Sequence, residues 1–342
     1  MPLLSLAEAE DLVSGALVRC RTSEANARSV ARALVAAEAD GLKGHGLSRV
    51  ETYVKQAEVG KVDGFATPTA EMTAPSVLAI DAAHGFAYPA LDLAVSRLPD
   101  LARSQGIATA AIRRSHHCGA AGHTVERLAE AGLVALLFAN TPAAIAPWGG
   151  SVGVFGTNPI AFACPLPERE PAVIDLSLSK VARGNILTAK QKGERIPDDW
   201  ALDADGRATT DPDAALKGTM LPLGEAKGTA LALMVELLAA GMTGANFAAD
   251  ASSFLDVEGA PPGTGQLILA FNPAALGGER VLAHCGRLAA AIEAQPGARL
   301  PGSRRLALRR KSRQDGIAVP DTFITSIEEL CRSSGAEPGV RR

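Results

Sequence analysis

Aromatic residues make up only 4% of the 342-residue chain, too few to build the stacking platforms on which single-stranded nucleic acid is held. Positive charge is not in excess either. The 34 Lys and Arg against 37 Asp and Glu leave a formal net charge of −3, which gives no attractive field for a polyanion or an acidic membrane surface. No apolar run approaches the ~18–20 residues that span a bilayer. The five cysteines, at positions 20, 118, 164, 285 and 331, are odd in number, scattered and without a C-x-x-C pair, which argues against a disulfide framework or a zinc site. A reduced, cytoplasmic protein is expected. The opening MPLLSLAEAEDLV is acidic and soon helical in pattern, unlike a secretory or Arg-rich transit leader. Two nucleotide signatures are also missing. The glycine cluster GGSVGVFG at 149–156 precedes the strand-like TNPIAF rather than a helix, and Lys227-Gly228-Thr229 lacks its G-x-x-x-x-G-K frame, which excludes an ordinary Rossmann or P-loop domain.

What is present is an ordinary globular balance, 47% hydrophobic and 21% charged, with length for one large or two to three interleaved domains of ~100–200 residues. Residues 5–20 and 23–40 carry apolar positions at helical spacing, with Ser5 and Ser23 where N-caps belong and Gly41 after the second pattern. Leu47 to Ala57 predicts a third helix with Val50, Tyr53, Val54 and Ala57 as its buried stripe. From residue 77 the β-rich runs VLAID, IATAAI, LVALLFAN, PIAFACP and AVIDLS alternate with helical patterns at 89–104 and 122–131, an α/β arrangement. The Asp-, Gly- and Pro-rich stretch 190–222 predicts a surface excursion. A helix at 228–241, a strand QLILAF, a helix at 278–294, a basic loop RLPGSRRLALRRKSRQDG and a last helix at 320–333 complete the pattern.

Four places carry chemistry-bearing residues. His45 and Arg49 stand four apart, so on a helix both project from one face. A histidine can give a proton near neutral pH, and an arginine can grip a carboxylate with two parallel hydrogen bonds; an exposed helix turn with two solvated side chains fits the same spacing. RRSHHCGAAGH, residues 113–123, ends a predicted strand and enters a helix. Its adjacent His116 and His117 diverge on either element, which is poor for joint metal ligation. The glycines before the helix leave N–H groups that favour an anion such as a pyrophosphate, or the run is a polar loop with a capping histidine. VFGTNPIAFACP places Thr157 and Asn158 at a turn. Lys227 opens an apolar helix, where a cation opposes the dipole and calls for an anionic partner, phosphate among them, or for solvent; Leu231, Met234, Val235 and Leu238 of that helix are expected in the core.

Taken in order, HGLSRV, the SHH-containing glycine loop, FGTNPIAFACP, VIDLS, KGTALALMVELLAAGMTG and the late RLPG followed by DGI resemble the type 2 malate/L-lactate dehydrogenase family, over about residues 5 to 335. The resemblance implies an α/β, non-Rossmann NAD(P)-binding fold with a large, mainly antiparallel mixed sheet flanked by helices. Residues 76–294 would bind the cofactor, with an excursion at about 185–225. Residues 1–75 together with 295–342 would form a mainly helical substrate and dimerisation domain. A homodimer with its active site near the interface is implied, acting on a small carboxylate and holding no metal. By motif, His45 resembles the proton donor, Arg49 the carboxylate clamp and Thr157 a substrate contact. His116 resembles a second acid–base residue, and His116, His117, Cys118, Gly119 and Ala120 a cofactor loop. Asn140, Ile174, Asp175, Leu176, Gly224, Lys227, Gly302 and Arg304 complete the implied cofactor contacts.

Two positions depart from the family pattern: Gly44 stands where relatives commonly have serine, and Asn185 where the imine reductases have aspartate. Glycine has no side chain and an amide no charge, so neither can orient His45 or raise its pKa. The helix motif KGTALALMVELLAA resembles the branch reducing Δ1-pyrroline-2-carboxylate and Δ1-piperideine-2-carboxylate, which is the leading expectation. A malate-, lactate- or sulfolactate-type 2-hydroxy-acid dehydrogenase is the alternative, and a non-catalytic NAD(P)-binding relative the third. NADP is expected over NAD, since Arg304 and Arg305 could meet a 2′-phosphate; a basic surface loop fits them equally.

Overall fold

The computed structural model describes residues 2–333; residue 1 and residues 334–342 of the expected terminal domain lie outside the described part. Two helices open the chain, α1 (Leu6–Arg19) and α2 (Glu24–Ala39). Ser5 forms a reciprocal capping box with Glu8, and the Ser23 hydroxyl accepts the Asn26 amide, which satisfies N–H groups that a first turn leaves free. Gly41 then turns the chain at φ +76°. The helix expected from Leu47 to Ala57 begins as a 3-10 turn, Leu47–Arg49, and continues as α3 (Val50–Glu58); a further 3-10 turn, Lys43–His45, precedes it. Gly46 separates the turns and lies so close to Glu38 that any Cβ there would clash. Val50, Tyr53, Val54 and Ala57 are buried as their spacing predicts.

Seven strands, β1 (Thr69–Ala74), β2 (Val77–Asp81), β3 (Ile107–Ser115), β4 (Val134–Ala139), β5 (Ile160–Leu166), β6 (Arg169–Leu176) and β7 (Thr264–Phe271), form one sheet in the order β1-β2-β3-β7-β4-β5-β6. Only β2 and β3 run parallel; the other neighbours are antiparallel. The parallel pair needs a crossover, which α4 (Ala87–Gln105) supplies, and α5 (Ala121–Glu130) packs on β4, β5 and β6. One buried cluster joins these helices, the sheet, Ile317, Val319 and Ile327. Leu3–Leu4 pairs with Ile317–Ala318, which ties the N-terminal segment to residues more than three hundred positions on.

The second half departs from expectation in three places. Residues 190–222 are no mere surface excursion. Helix α6 (Arg183–Lys192), the short helix Pro212–Lys217 and a ribbon of 201–202 with 219–220 bring Ile186, Ile196, Ala201, Ala215 and Met220 against Phe138, Ile145 and Val235 in a second core. The Asp, Gly and Pro residues make the turns, and the sparse apolar residues between them supply the burial. Next, α7 (Ala226–Glu236) runs into a π turn at Leu237–Gly241. Val235 is buried, but Leu231 and Met234 are 41% and 39% exposed, because a helix apolar all round can turn only one face to that core. After α8 (Val281–Glu293), the expected basic loop contains α9 (Ser303–Asp315). Arg, Leu, Ala, Lys and Gln are good helix formers whatever their charge. The last helix, α10, is Asp321–Ser333. Among the described residues no helix is long and apolar enough to cross a membrane.

Buried ions lock α2, α5 and α9 together. Asp40 receives Arg309 Nε and Nη2 at 2.7 Å each and pairs with His123 Nε2 at 2.7 Å. Glu126 of α5 receives Arg309 Nη2 at 2.7 Å and Arg305 Nη2 at 2.9 Å. Burial alone would raise the Asp40 carboxyl; the Arg309 and His123 hydrogen bonds hold it at about 2.

Candidate active site

His45 projects from the 3-10 turn that follows α2, and its ring stacks on His117 with centroids 5.3 Å apart and planes 21° from parallel. His117 Nδ1 is 2.6 Å from the Tyr53 hydroxyl, itself 3.2 Å from the Tyr88 hydroxyl. Arg49, at the entry to α3, donates from Nε to the Gly44 carbonyl at 2.7 Å. His45 and Arg49 therefore come together through a folded-back turn rather than on one helix face. The Leu47 amide donates to Glu38 Oε2 at 3.0 Å, which fixes that turn to α2.

His116 follows β3 and is 1% exposed. Its ring meets Tyr53 and Phe86 edge-on at 5.5 and 6.1 Å and Phe254 at 5.0 Å. Among the described residues neither of its nitrogens has a hydrogen-bond partner, and Nδ1 of His45, Oγ of Ser115 and Oε1 of Gln266 also lack one. Gln266 is nonetheless fixed at this place, because its Nε2 donates to the His116 carbonyl at 3.2 Å. A buried polar atom without a partner costs ~1–3 kcal/mol, and several around the same rings mark where a polar ligand belongs. Burial is the main cause of low basicity in all three rings. It brings His45 to about 4, with help from the Arg49 and His123 charges, and His116 to about 3, with help from Lys61 and Arg49. His117 is pushed well below its ordinary value. All three are neutral at pH 7.

Lys61, 2% exposed, holds a roof on this place. It donates to the Asp256 carbonyl and Oδ1 at 3.2 and 3.0 Å and to the Glu258 carbonyl at 2.5 Å. Gln56 Nε2 adds a bond to the Asp256 carbonyl at 2.7 Å. The loop so tethered sets Phe254 against His116 and His117, 5.3 Å from the latter. Sequence reasoning missed Lys61 and Phe254, and took Tyr53 only as core.

The expected cofactor residues fall into separate groups. Cys118, Gly119 and Ala120 are buried between His117 and α5, and burial pushes the Cys118 thiol up to about 12. The anion at the start of α5 is the protein's own: Asp175, exposed on the edge strand, accepts the Gly122 amide at Oδ2 at 2.7 Å, and desolvation of its carboxyl against α5 raises it above the usual range. On the same edge strand, Ile174 and Leu176 are 37% and 39% exposed. Gly302, at φ +85°, lies against the Val173 carbonyl, and Arg304 beyond it is exposed. Arg305 is spent on Asp40 and Glu126. These exposed apolar and cationic groups on an open edge suit the ring and phosphate of a dinucleotide.

A further group surrounds the buried Glu236, which sequence reasoning also missed. Asn140 donates to Glu236 Oε1 at 3.1 Å and to the Asn246 carbonyl at 2.9 Å, and accepts the Gly265 amide at 2.8 Å; its side chain is fully used inside the fold. Asn158 donates to Glu236 Oε2 at 2.7 Å. The neighbouring Thr157 hydroxyl is 3.2 Å from that of Thr141. Gly224, at φ +63°, and exposed Lys227 form the turn into α7. Asn185 is exposed on α6, and the space around Gly44 would admit a Cβ. A cavity of about 540 Å³ between α2, α4, α5 and α9 adjoins Cys118 and Ala120 rather than His45. Its Arg32 and Arg127 are paired with Asp92.

Residues 4–328 match the sequence family described as malate/L-lactate dehydrogenase. The chain is 51% identical over 325 residues to the (2R)-3-sulfolactate dehydrogenase (NADP(+)) of Chromohalobacter salexigens, covering 95% of this chain and 97% of that one. It is 41% identical over 328 residues to a Δ1-pyrroline-2-carboxylate/Δ1-piperideine-2-carboxylate reductase of Pseudomonas putida, covering 94% and 95%. Among solved structures, the Δ1-piperideine-2-carboxylate reductase of Pseudomonas syringae pv. tomato superposes with a TM-score of 0.92 at 38% identity, over 96% of this chain and 100% of that one.

The buried rings make folding pH-dependent. An imidazole at about 4 or 3, against an ordinary 6.5, binds fewer protons folded than unfolded. Stability is therefore full above about pH 6.5 and falls as pH drops toward 4 and then 3. The Asp40 contribution is lost only below 3.8, toward 2. Urea unfolding near pH 7.5 and about pH 5 is expected to show wild type weakened at the lower pH and His116→Gln weakened less. Equal losses in the two proteins would contradict the burial account.

Proposed function

Because the chain belongs to the malate/L-lactate dehydrogenase family and is an NAD(P)-dependent oxidoreductase, we propose that it interconverts a 2-hydroxy acid and its 2-oxo acid, with 3-sulfolactate the foremost substrate. The 51% identity to a sulfolactate dehydrogenase over 95% of the chain carries this reading. It favours the 2-hydroxy-acid alternative over the cyclic imine expected first, which rests on relatives near 40%. Charge supports it too. Gly44 and Asn185 supply no negative group to His45, whereas a substrate bearing both carboxylate and sulfonate brings two.

In this reading the terminal nitrogens of Arg49 grip the substrate carboxylate while Nε stays on the Gly44 carbonyl. The cofactor supplies the hydride in reduction and takes it in oxidation. His45 gives a proton to the developing alkoxide oxygen and recovers it in the reverse direction. A dianion beside the ring raises its proton affinity from the low value that burial sets. His116, whose two nitrogens have no hydrogen-bond partner among the described residues, offers a further hydrogen bond to the same ligand, and Phe254 covers its ring.

Steady-state assays decide the substrate. NADPH-dependent reduction of 3-sulfopyruvate should exceed that of Δ1-pyrroline- and Δ1-piperideine-2-carboxylate, with His45→Gln losing ~10²–10⁴ in kcat; robust imine reduction without sulfopyruvate activity would overturn the reading. For the cofactor, exposed Arg304 is proposed to meet a 2′-phosphate. Arg304→Ala should then lower the NADPH-to-NADH ratio of kcat/KM about tenfold, and an unchanged ratio rejects that role. The chain is also proposed to form a homodimer through the exposed apolar face of α7 and the π turn after it, where Leu233 and Leu237 are 47% and 51% exposed. Light scattering should find a dimer that Leu233→Glu/Leu237→Glu converts to monomer; a wild-type monomer at micromolar concentration would refute it.

A further inference from the structure

We propose that Tyr53 is a positioning residue for His45, acting through the ring of His117. The proposal rests on His45 as proton donor. Gly44 has no side chain, Asn185 is exposed on α6, and among the described residues Nδ1 of His45 has no hydrogen-bond partner. Among the described residues, the ring stacked on it is that of His117, at 5.3 Å and 21°. His117 cannot turn freely, since its Nδ1 lies 2.6 Å from the Tyr53 hydroxyl. Tyr53 is in turn fully buried, tilted against Phe86 at 5.4 Å, with Tyr88 3.2 Å from its hydroxyl.

The chain of contacts has a direction. Tyr88 donating to Tyr53, and Tyr53 to His117 Nδ1, leaves the His117 proton on Nε2 and the ring neutral. A neutral ring offers its π face to His45 whether His45 is charged or not. A cationic His117 would instead repel the protonated form of His45 that donation requires. Tyr53 thus fixes the plane of His117 and its charge together, and through both the proton donor. Its place in the sequence, eight residues after His45 on the buried stripe of α3, gives it a rigid mount.

The test compares Tyr53→Phe, His117→Gln, Tyr88→Phe and His45→Gln in the full-length enzyme with 3-sulfopyruvate and NADPH, or with whichever substrate the panel above identifies. Tyr53→Phe keeps the buried ring and removes only the hydroxyl. It should lose roughly tenfold in kcat, keep KM for both substrates within about twofold, and shift the pH profile of kcat. His117→Gln, which removes the stack, should show the same split, and it supplies the readout if Tyr53→Phe does not fold. Tyr88→Phe removes the donor to Tyr53 but leaves the 2.6 Å bond in place, and should lose less in kcat than Tyr53→Phe. In the His45→Gln background, Tyr53→Phe should cause no further loss, because residues acting as one unit are not additive. If His45→Gln is crippled while Tyr53→Phe and His117→Gln match wild type in kcat and pH profile, positioning is overturned and the proton-donor reading stands. An equal loss from Tyr53→Phe in both backgrounds overturns it too. If His45→Gln keeps wild-type kcat, both fall.

Discussion

Three imidazoles converge where the turn after α2 meets the end of β3, and desolvating them with no carboxylate bonded to their rings among the described residues is the constraint on which the site depends. Burial penalises the charged form of each ring, so His45, His116 and His117 all rest neutral, with Arg49 and Lys61 adding positive charge nearby. Such a site is short of negative charge rather than protons in solution. In the proposed reading an anionic substrate would supply what the site lacks, and on arrival would bond to nitrogens of His116 and His45 that have no partner among the described residues. Specificity for an acid and the ability to protonate it then have one physical origin.

The scaffold delivers both halves of this site from one ionic junction. Asp40 ends α2 immediately before the turn that carries His45, while His123 and Glu126 belong to α5, the helix entered through His116 to Ala120. Arg309 reaches both carboxylates from α9. Removing one member of such a buried group leaves a charge uncompensated. The loop bearing Phe254 is tethered from the other side by Lys61, a residue 195 positions away from Asp256. His45 and His116 are thus held by elements distant in sequence, and their separation is set by packing rather than by any local motif.

Much of this was legible in the sequence where the cause is local. Ser5 and Ser23 cap as their positions predict, the β-rich runs become strands, and the ordered motifs carry the family and its mixed sheet. His45 and Arg49 do come together, although Gly46 breaks the helix that spacing suggested. Where the cause is long-range, the sequence was silent. Nothing near Lys61 points to a loop almost two hundred residues on, and Glu236 reads as one more helix residue until Asn140 and Asn158 converge on it. Tyr53 was read for its ring, and only the fold brings its hydroxyl to His117. Charge misled at α9, where helix propensity outweighed a run of arginines, and the Asp175 carboxylate at the start of α5 could not be foreseen from β6.

The central claim is that the bound acid, rather than a neighbouring side chain, provides the negative charge that lets His45 carry a proton. NMR titration of the His45 imidazole, assigned by comparison with His45→Gln, measures this directly in the free enzyme and with NADP and 3-sulfolactate bound. The account predicts a value near 4 in the free enzyme and a clear rise in the complex. A free-enzyme value near 6.5, or no rise on binding, would contradict it.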